Sequence, residues 1–541
     1  MFPVRLRAAL LAAVLLGSLA APGSAAAGRA SRPVAGPVFN LDSTQFFFEH
    51  PPAAVSGEAV DAYVDRLADA GVRTLVSCVN AQRANYASRV WEPDWTGYDP
   101  AGRDDQPVLR HLPPGAVAAT RARLESARRL ADLGIDLHDR LGARCRERGL
   151  GFWVTVRMND VHDCFLEDSS LLSTFYKEQR AARRLRAPHR DAWWADRTLD
   201  WERPEVRAHY LRLVAEQLAT RDLDGLELDW MRFVYHFQPG RELAGGRILT
   251  DWLREVRALC DRAAARLGRP VLLGVRVPSR PEVARRAGLD AAAWARAGLV
   301  DVVVPSPFWT TTDFDVPMVE WRRLLEGTGA QLGAPAEIRY QSVPNGPAPL
   351  MTPELTVGAI LPMLQQGADF AYLFNHFPLW LAKVDHPFGA GPAWPPEAFA
   401  RTMRALRSLD SAAREARWHA VTFHDVRAPG EPADAALPAV DTRADFPWPP
   451  GLAFRVPTGP RPTGRAVAVQ LTFAEPGGDA ERVRVFVNSV ACPPSPATGA
   501  TRTYAVPEAA LQDEAQVVEL ISPPDARFTV VRVEITVAAA P

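Results

Sequence analysis

Eight short β-branched runs alternate with longer segments of helical period over most of the chain, and this alternation constrains the fold more than any other feature. The runs are VFNLD (38–42), RTLVSCVN (73–80), GFWVTVRMN (151–159), GLELDW (225–230), VLLGVRV (271–277), VDVVVPS (300–306), AEIRY (336–340) and ADFAYLF (368–374). Strands separated by helices pair in parallel. Eight of them close a (β/α)8 TIM barrel, and the stretch from Val38 to about Leu409 is long enough to build one. A chain of 541 residues exceeds that requirement, so a second domain is predicted. A composition 47% hydrophobic and 23% charged suits a chain that buries a core, not a disordered or collagen-like one.

Helix starts are legible. Ser56 is placed to cap a helix whose Val60, Tyr63, Val64 and Leu67 share a face. Pro204 stands at a first turn ahead of Val206, Tyr210, Leu213 and Val214, and Thr250 reads as the start of a helix carrying Leu253, Val256 and Cys260. The connections after the second and third runs are far longer than is usual, and they hold Tyr86, Trp91, Trp95, Tyr98, Trp193, Trp194 and Trp201. Loops on that face of a barrel are where binding sites are built, so these aromatics are predicted to line a cleft. After a helix at 395–417 come proline-punctuated short strands, AVAVQLTF, RVRVFVNSV, QVVELIS and FTVVRVEITV, which predict a small C-terminal β-sandwich.

The predicted organisation is a signal peptide at 1–27, a linker at 28–37, the barrel at 38–417 and a β-sandwich accessory domain at 418–541. The leader carries Arg5 and Arg7, an apolar run from Ala8 to Ala20 and small residues through Ala27. That pattern predicts a secreted or otherwise exported protein with no integral membrane segment once the leader is removed. Five cysteines without CxxC spacing suggest buried thiols, not a disulfide scaffold or a zinc cluster. A formal net charge of −1, with Lys177 and Lys383 the two lysines, leaves no basic face for nucleic acid. Oligomeric state is not encoded in any motif found.

The densest local signal is LDGLELDWMRF at 223–233. Side chains alternate along a strand, so Gly225, Glu227 and Asp229 share one face and Leu226, Leu228 and Trp230 the other. Carboxylates in the inward register of a barrel strand are costly unless hydrogen-bonded or functional, and Asp229 is nearer the carboxyl end, where barrel enzymes hold reactive groups. A structural alternative pairs these acids with Arg157, Arg276 or Arg339 from neighbouring runs.

The phrase DGLELDWMRF resembles the DGI-x-LD-x-x-R signature of glycosyl-hydrolase-like barrels, in particular the glycosyl-hydrolase-like 10 family. LDWERPEVRAHYLRLVAEQL is similar to the segment that precedes this strand in such proteins. The resemblance implies that Asp229 is the acid at the end of the fourth strand with Arg232 beside it. It also implies a secreted glycoside hydrolase that cleaves a polysaccharide or glycoconjugate with two carboxylates. A chitinase-type site needs an acid two residues past Asp229, where Met231 stands, and VLLGVRVPSR offers Arg276 but no carboxylate before Glu282. The partner acid is therefore sought elsewhere: Glu337 first, in an inward register of the seventh run, then Asp160 at the end of the third, with Asp163, Asp313 and Asp315 behind them. Arg157 or Arg232 is expected to keep Asp229 ionised and oriented, and Glu227 to act as deeper support. A non-catalytic carbohydrate-binding barrel is the alternative.

Sugars require groups that both accept and donate, together with aromatic faces for stacking. Strand-end candidates for contact with a carbohydrate are Asn40, Asp42, Asn80, Arg157, Asn159, His162, Glu227, Arg232, Arg276, Ser306, Trp309, Asn375 and His376, with Trp193 and Trp194 from the long loop. No HxH, HExxH, GxSxG or GxGxxG occurs where a barrel would use it, so neither a metal nor a cofactor is predicted.

Overall fold

A computed structural model describes residues 33–540, apart from 43, 167, 179–193, 309–310, 377–393, 429–430, 432–433, 441–450, 497 and 524. The leader predicted at 1–27, Trp193 and Trp309 thus lie outside the described residues. Eight parallel strands close a barrel in chain order: β1 Val38–Leu41, β2 Thr74–Cys78, β3 Gly151–Arg157, β4 Gly225–Asp229, β5 Leu272–Pro278, β6 Val302–Ser306, β7 Gln331–Ala336 and β8 Phe370–Phe374. Seven follow the predicted runs within a residue or two. The seventh does not: β7 is QLGAPA, ending where AEIRY was expected to begin, so Glu337 is the first residue past the strand. Ala334 and Pro335 carry little strand signal; their pairing with β8 comes from the barrel's closure.

The interior is packed by volume exchange between neighbouring strands. Trp153 of β3 projects inward, and the strands beside it make room with glycine. A Cβ on Gly225 would lie 2.3 Å from the indole, and one on Gly274 would lie 3.0 Å from it. Across the barrel Gly333 does the same for Phe370, where a Cβ would meet the ring at 2.9 Å. Val38, Val76, Leu272, Val302, Val304, Tyr372 and Phe374 complete this inner core. Toward the carboxyl ends the inward positions become polar.

Ser56 caps its helix as predicted, accepting from the Ala59 amide, and Pro204 opens the helix Pro204–Thr220. Thr250 does not start a helix: it lies within Glu242–Leu267, and its hydroxyl donates to the Gly246 carbonyl and accepts from Trp294 Nε1. The turn before it, ELAGGRI, is helical despite two glycines because Gly245 and Gly246 let the helix approach Phe237 and the Gly288 backbone closely.

The C-terminal region holds two antiparallel sheets. One comprises β9 Arg417–Ala420, β10 Ala439–Val440, β12 Val467–Phe473, β15 Thr501–Ala505 and β17 Thr529–Val537; the other comprises β11 Gly451–Gly459, β13 Arg484–Val487, β14 Val490–Cys492 and β16 Glu514–Ile521. Their inner faces share one hydrophobic core that includes Val456, Val469, Leu471, Val518, Leu520 and Ile535. This sandwich rests on the barrel helix Pro353–Gln365, where Gly358 admits the Trp418 backbone so closely that a Cβ would overlap its carbonyl oxygen. Tyr340 also donates to Glu534 across the junction. All five cysteines are buried thiols, none of them in a disulfide. Among the described residues no helix is long and apolar enough to cross a membrane.

Candidate active site

The parallel order brings the inward residues at the strand ends to one mouth, where three arginines meet five carboxyl groups. Asp229, at the last position of β4, accepts from Arg276 Nη1 at 2.9 Å and from the Met231 amide at 3.0 Å. Arg276 projects from β5 and donates through Nη2 to Glu337 Oε1 at 3.1 Å and through Nε to Ser306 at 3.3 Å, with its guanidinium over the Phe374 ring at 3.4 Å. One fully buried arginine thus joins two buried carboxyl groups, one at the end of β4 and one just past β7. Because one planar guanidinium holds both, these two oxygens lie within about 8 Å of each other. The expectation that Arg157 or Arg232 orients Asp229 is corrected here: Arg276 does.

Burial pushes the Glu337 carboxyl up to about 8, although Arg276 and Arg232 pull it back. Thr312 fixes its backbone, donating to the Glu337 carbonyl and accepting from its amide. Asp425 adds its own negative charge beside Glu337. It reaches the mouth from the segment that follows β9, where it accepts from the Phe308 amide at 2.9 Å. No sequence signal pointed to Asp425, because chain distance hides it.

Asp160 behaves oppositely. Burial alone would raise its pKa, but His162, Arg157 and Arg232 outweigh that and hold the carboxyl well below its usual range. His162 Nδ1 lies 2.6 Å from it and Arg157 Nη1 donates at 3.3 Å. A carboxylate so firmly ionised is a poor proton donor, so Asp160 is set aside as the alternative acid. Arg157 also donates to Asp42 and, at 3.4 Å, to Asn375 Oδ1. Asp42, too, is held well below the carboxylate range by Arg157 against the opposing effect of burial.

One layer deeper, Glu227 accepts from Tyr372 at 2.8 Å and from Asn40 Nδ2 at 3.3 Å, and burial raises it to about 7. Among the described residues no arginine forms an ion pair with it, which departs from the ion-pair alternative, although the charge of Arg276 acts on it. Tyr372 was missed, although ADFAYLF places it in the inward register between Phe370 and Phe374.

Several predicted contact residues are committed elsewhere. Asn80 donates to the carbonyls of Ala81 and Arg157 and accepts from the Arg157 amide. Asn159 ties the Leu199 and Tyr235 backbones together. His376 leaves the group because Asn375, at φ 48°, turns the chain; the buried, neutral imidazole meets Trp394 edge-on at 5.9 Å. Trp194 packs among Phe233, Tyr235 and Phe308 near the mouth. Tyr86, Trp91 and Trp201 do not line a cleft. Tyr86 and Trp91 bind the outer helix Pro204–Thr220 through Glu216 and the His209 carbonyl, and Trp201 packs on Trp230 and Trp252. Their hydrophobic area is buried against helices, which a residue count in a loop cannot distinguish from a cleft wall.

No family model matches the chain, and no curated protein is similar to it. Solved structures similar to the chain include a maltogenic α-amylase from Thermotoga neapolitana, with 12% identity, TM-score 0.38, and 90% of this chain and 98% of that chain covered. Others are an α-amylase from Geobacillus thermoleovorans (12%, 0.39, 89% and 97%) and the PgaB glycoside hydrolase domain from Bordetella bronchiseptica (11%, 0.39, 69% and 99%). These neighbours are glycoside hydrolases; at such scores the likeness says nothing about the reaction, and any functional reading rests on the site.

Proposed function

We propose that the protein is a glycoside hydrolase of polysaccharides or glycoconjugates, related to the glycosyl-hydrolase-like 10 family that residues 223–233 resemble. Asp229 is its nucleophile or base and Glu337 its general acid. The observation that carries this reading is the pairing of Asp229 and Glu337 on Arg276 at the carboxyl-terminal mouth. A span within about 8 Å accommodates the separation of a retaining pair and much of the inverting range. The two carboxyls sit in environments suited to different tasks. Glu337, raised to about 8, holds a proton at neutral pH that it can deliver to the leaving oxygen. Asp229, turned toward two N–H donors, is oriented to attack the anomeric carbon or to deprotonate a water. Arg276 keeps the pair in register, and export by the leader at 1–27 would deliver the enzyme to extracellular glycans.

The second reading, a non-catalytic carbohydrate-binding barrel, draws on the full burial of Asp229 and Arg276. The two are separated by Glu337→Gln. If Glu337 is the general acid, the variant loses kcat/KM on natural glycans but keeps much of it on aryl glycosides whose leaving groups need no proton in the bond-breaking step. Equal losses on both substrate types would remove Glu337 from that role, and an inactive wild type would favour the binding barrel.

A further inference from the structure

Of the three arginines at the mouth, Arg276 has an acceptor for every nitrogen and Arg157 leaves only Nε without one. Arg157 serves Asp42, Asp160 and Asn375; Arg276 serves Asp229, Glu337 and Ser306. Arg232 is different. It is 3% exposed, yet among the described residues its one hydrogen bond runs from Nη2 to His162 Nε2 at 2.9 Å. Nε and Nη1 are buried with no acceptor, and among the described residues no carboxylate lies within ion-pair distance. Its remaining neighbours are aromatic: the rings of Phe233 and Phe374 each lie 5.8 Å from the guanidinium carbon. Arg417, also buried and, among the described residues, without a carboxylate partner, places both Nη atoms on main-chain carbonyls and leaves only Nε without an acceptor.

A buried guanidinium with idle N–H groups is expensive, and proteins retain such a group where something else supplies the acceptor. Arg232 stands where that acceptor would touch the chemistry. Its charge acts on Asp160, Asp229 and Glu337. His162, its hydrogen-bond partner, is 30% exposed and marks the direction from which a ligand reaches it. Asp160 fixes the imidazole through Nδ1, so that Nε2 accepts and Arg232 is held with its other nitrogens free.

We propose that Arg232 is an anion-recognition residue that selects glycans bearing a carboxylate on the sugar at or next to the cleaved bond, a uronic acid in the simplest case. This rests on the glycosidase reading for its place in a reaction but not for the binding itself. A carboxylate matches the guanidinium fork with two parallel bonds, whereas neutral hydroxyls would leave the positive charge unmatched.

The test is titration calorimetry of the full chain with D-glucuronate, D-galacturonate and D-mannuronate, each against its neutral hexose and against glucose 6-sulfate. At least one uronate is expected to bind about tenfold or more tighter than its neutral counterpart. Arg232→Gln should abolish that preference, and Arg232→Lys, which keeps the charge but loses the fork, should retain only part of it. Equal binding of uronate and hexose by the wild type, no binding of any uronate, or preference for the sulfate would each overturn the proposal, whether or not the variants fold. Turnover of neutral glycans without a uronate preference would refute this inference while sparing the glycosidase reading. A uronate preference in a protein that cleaves no glycan would do the reverse.

Discussion

Replacing Glu337 with glutamine is expected to stabilise the protein while disabling it, and the size of the gain follows from the site. Glutamine keeps an oxygen to accept from Arg276 Nη2, but it has no proton to lose. In the wild type, burial raises the carboxyl from 4.5 in the unfolded chain to about 8 in the fold. Between those values the native state holds a proton that the unfolded chain has released, so wild-type stability falls as pH rises through the interval. Each pH unit there is worth about 1.4 kcal/mol, which gives about 3 kcal/mol by pH 7. Below pH 4.5 both states are protonated and the variant should match the wild type; above about pH 8 the difference should level off. Glu227 titrates in both proteins and cancels. Urea unfolding followed by tryptophan fluorescence from pH 4 to 9 reads the difference directly. If the two stability curves run parallel across that range, Glu337 is not a buried, proton-holding carboxyl and its assignment as the acid fails with it.

Other perturbations probe the surroundings. Arg276→Met strips the shared partner from Asp229 and Glu337 and should cost about 3–5 kcal/mol of unfolding free energy, read from urea denaturation curves. Tyr372→Phe removes the hydroxyl that serves Glu227 and Asn40, and should cost about 1–3 kcal/mol with little change in the pH profile of turnover. Gly225→Ala drives a methyl into the Trp153 ring and should cost about 1–3 kcal/mol, part of which Trp153→Phe in the same chain should restore, as thermal unfolding would report.

Much of this architecture was legible in the residues because the barrel repeats one rule: buried strands alternate with amphipathic helices. The inward register of Gly225, Glu227 and Asp229 was legible for the same reason, since side chains alternate whatever the tertiary setting. The seventh strand escaped because GAP is a weak strand sequence that only its neighbours make extended. Glu337 was nonetheless singled out, although it lies just past the strand and not within it. The pairing of Arg276 with both acids could not be read from sequence, because Arg157, Arg232 and Arg276 are equivalent as letters and the choice among them is one of reach. Asp425 and Tyr372 act across long chain separations, and the loop aromatics were misplaced because burial against an outer helix and exposure to a cleft leave the same local pattern.

The central claim is that Asp229 performs the chemistry of glycan cleavage, and Asp229→Asn tests it most directly. Asparagine preserves the shape and the oxygen facing Arg276 but turns its NH2 toward the Met231 N–H, so a loss of about 1–3 kcal/mol in unfolding free energy is expected. Release of reducing ends from a broad panel of neutral and acidic polysaccharides should fall by about a thousandfold or more. Undiminished release by Asp229→Asn, or a wild type that cleaves nothing on the panel, would contradict the account.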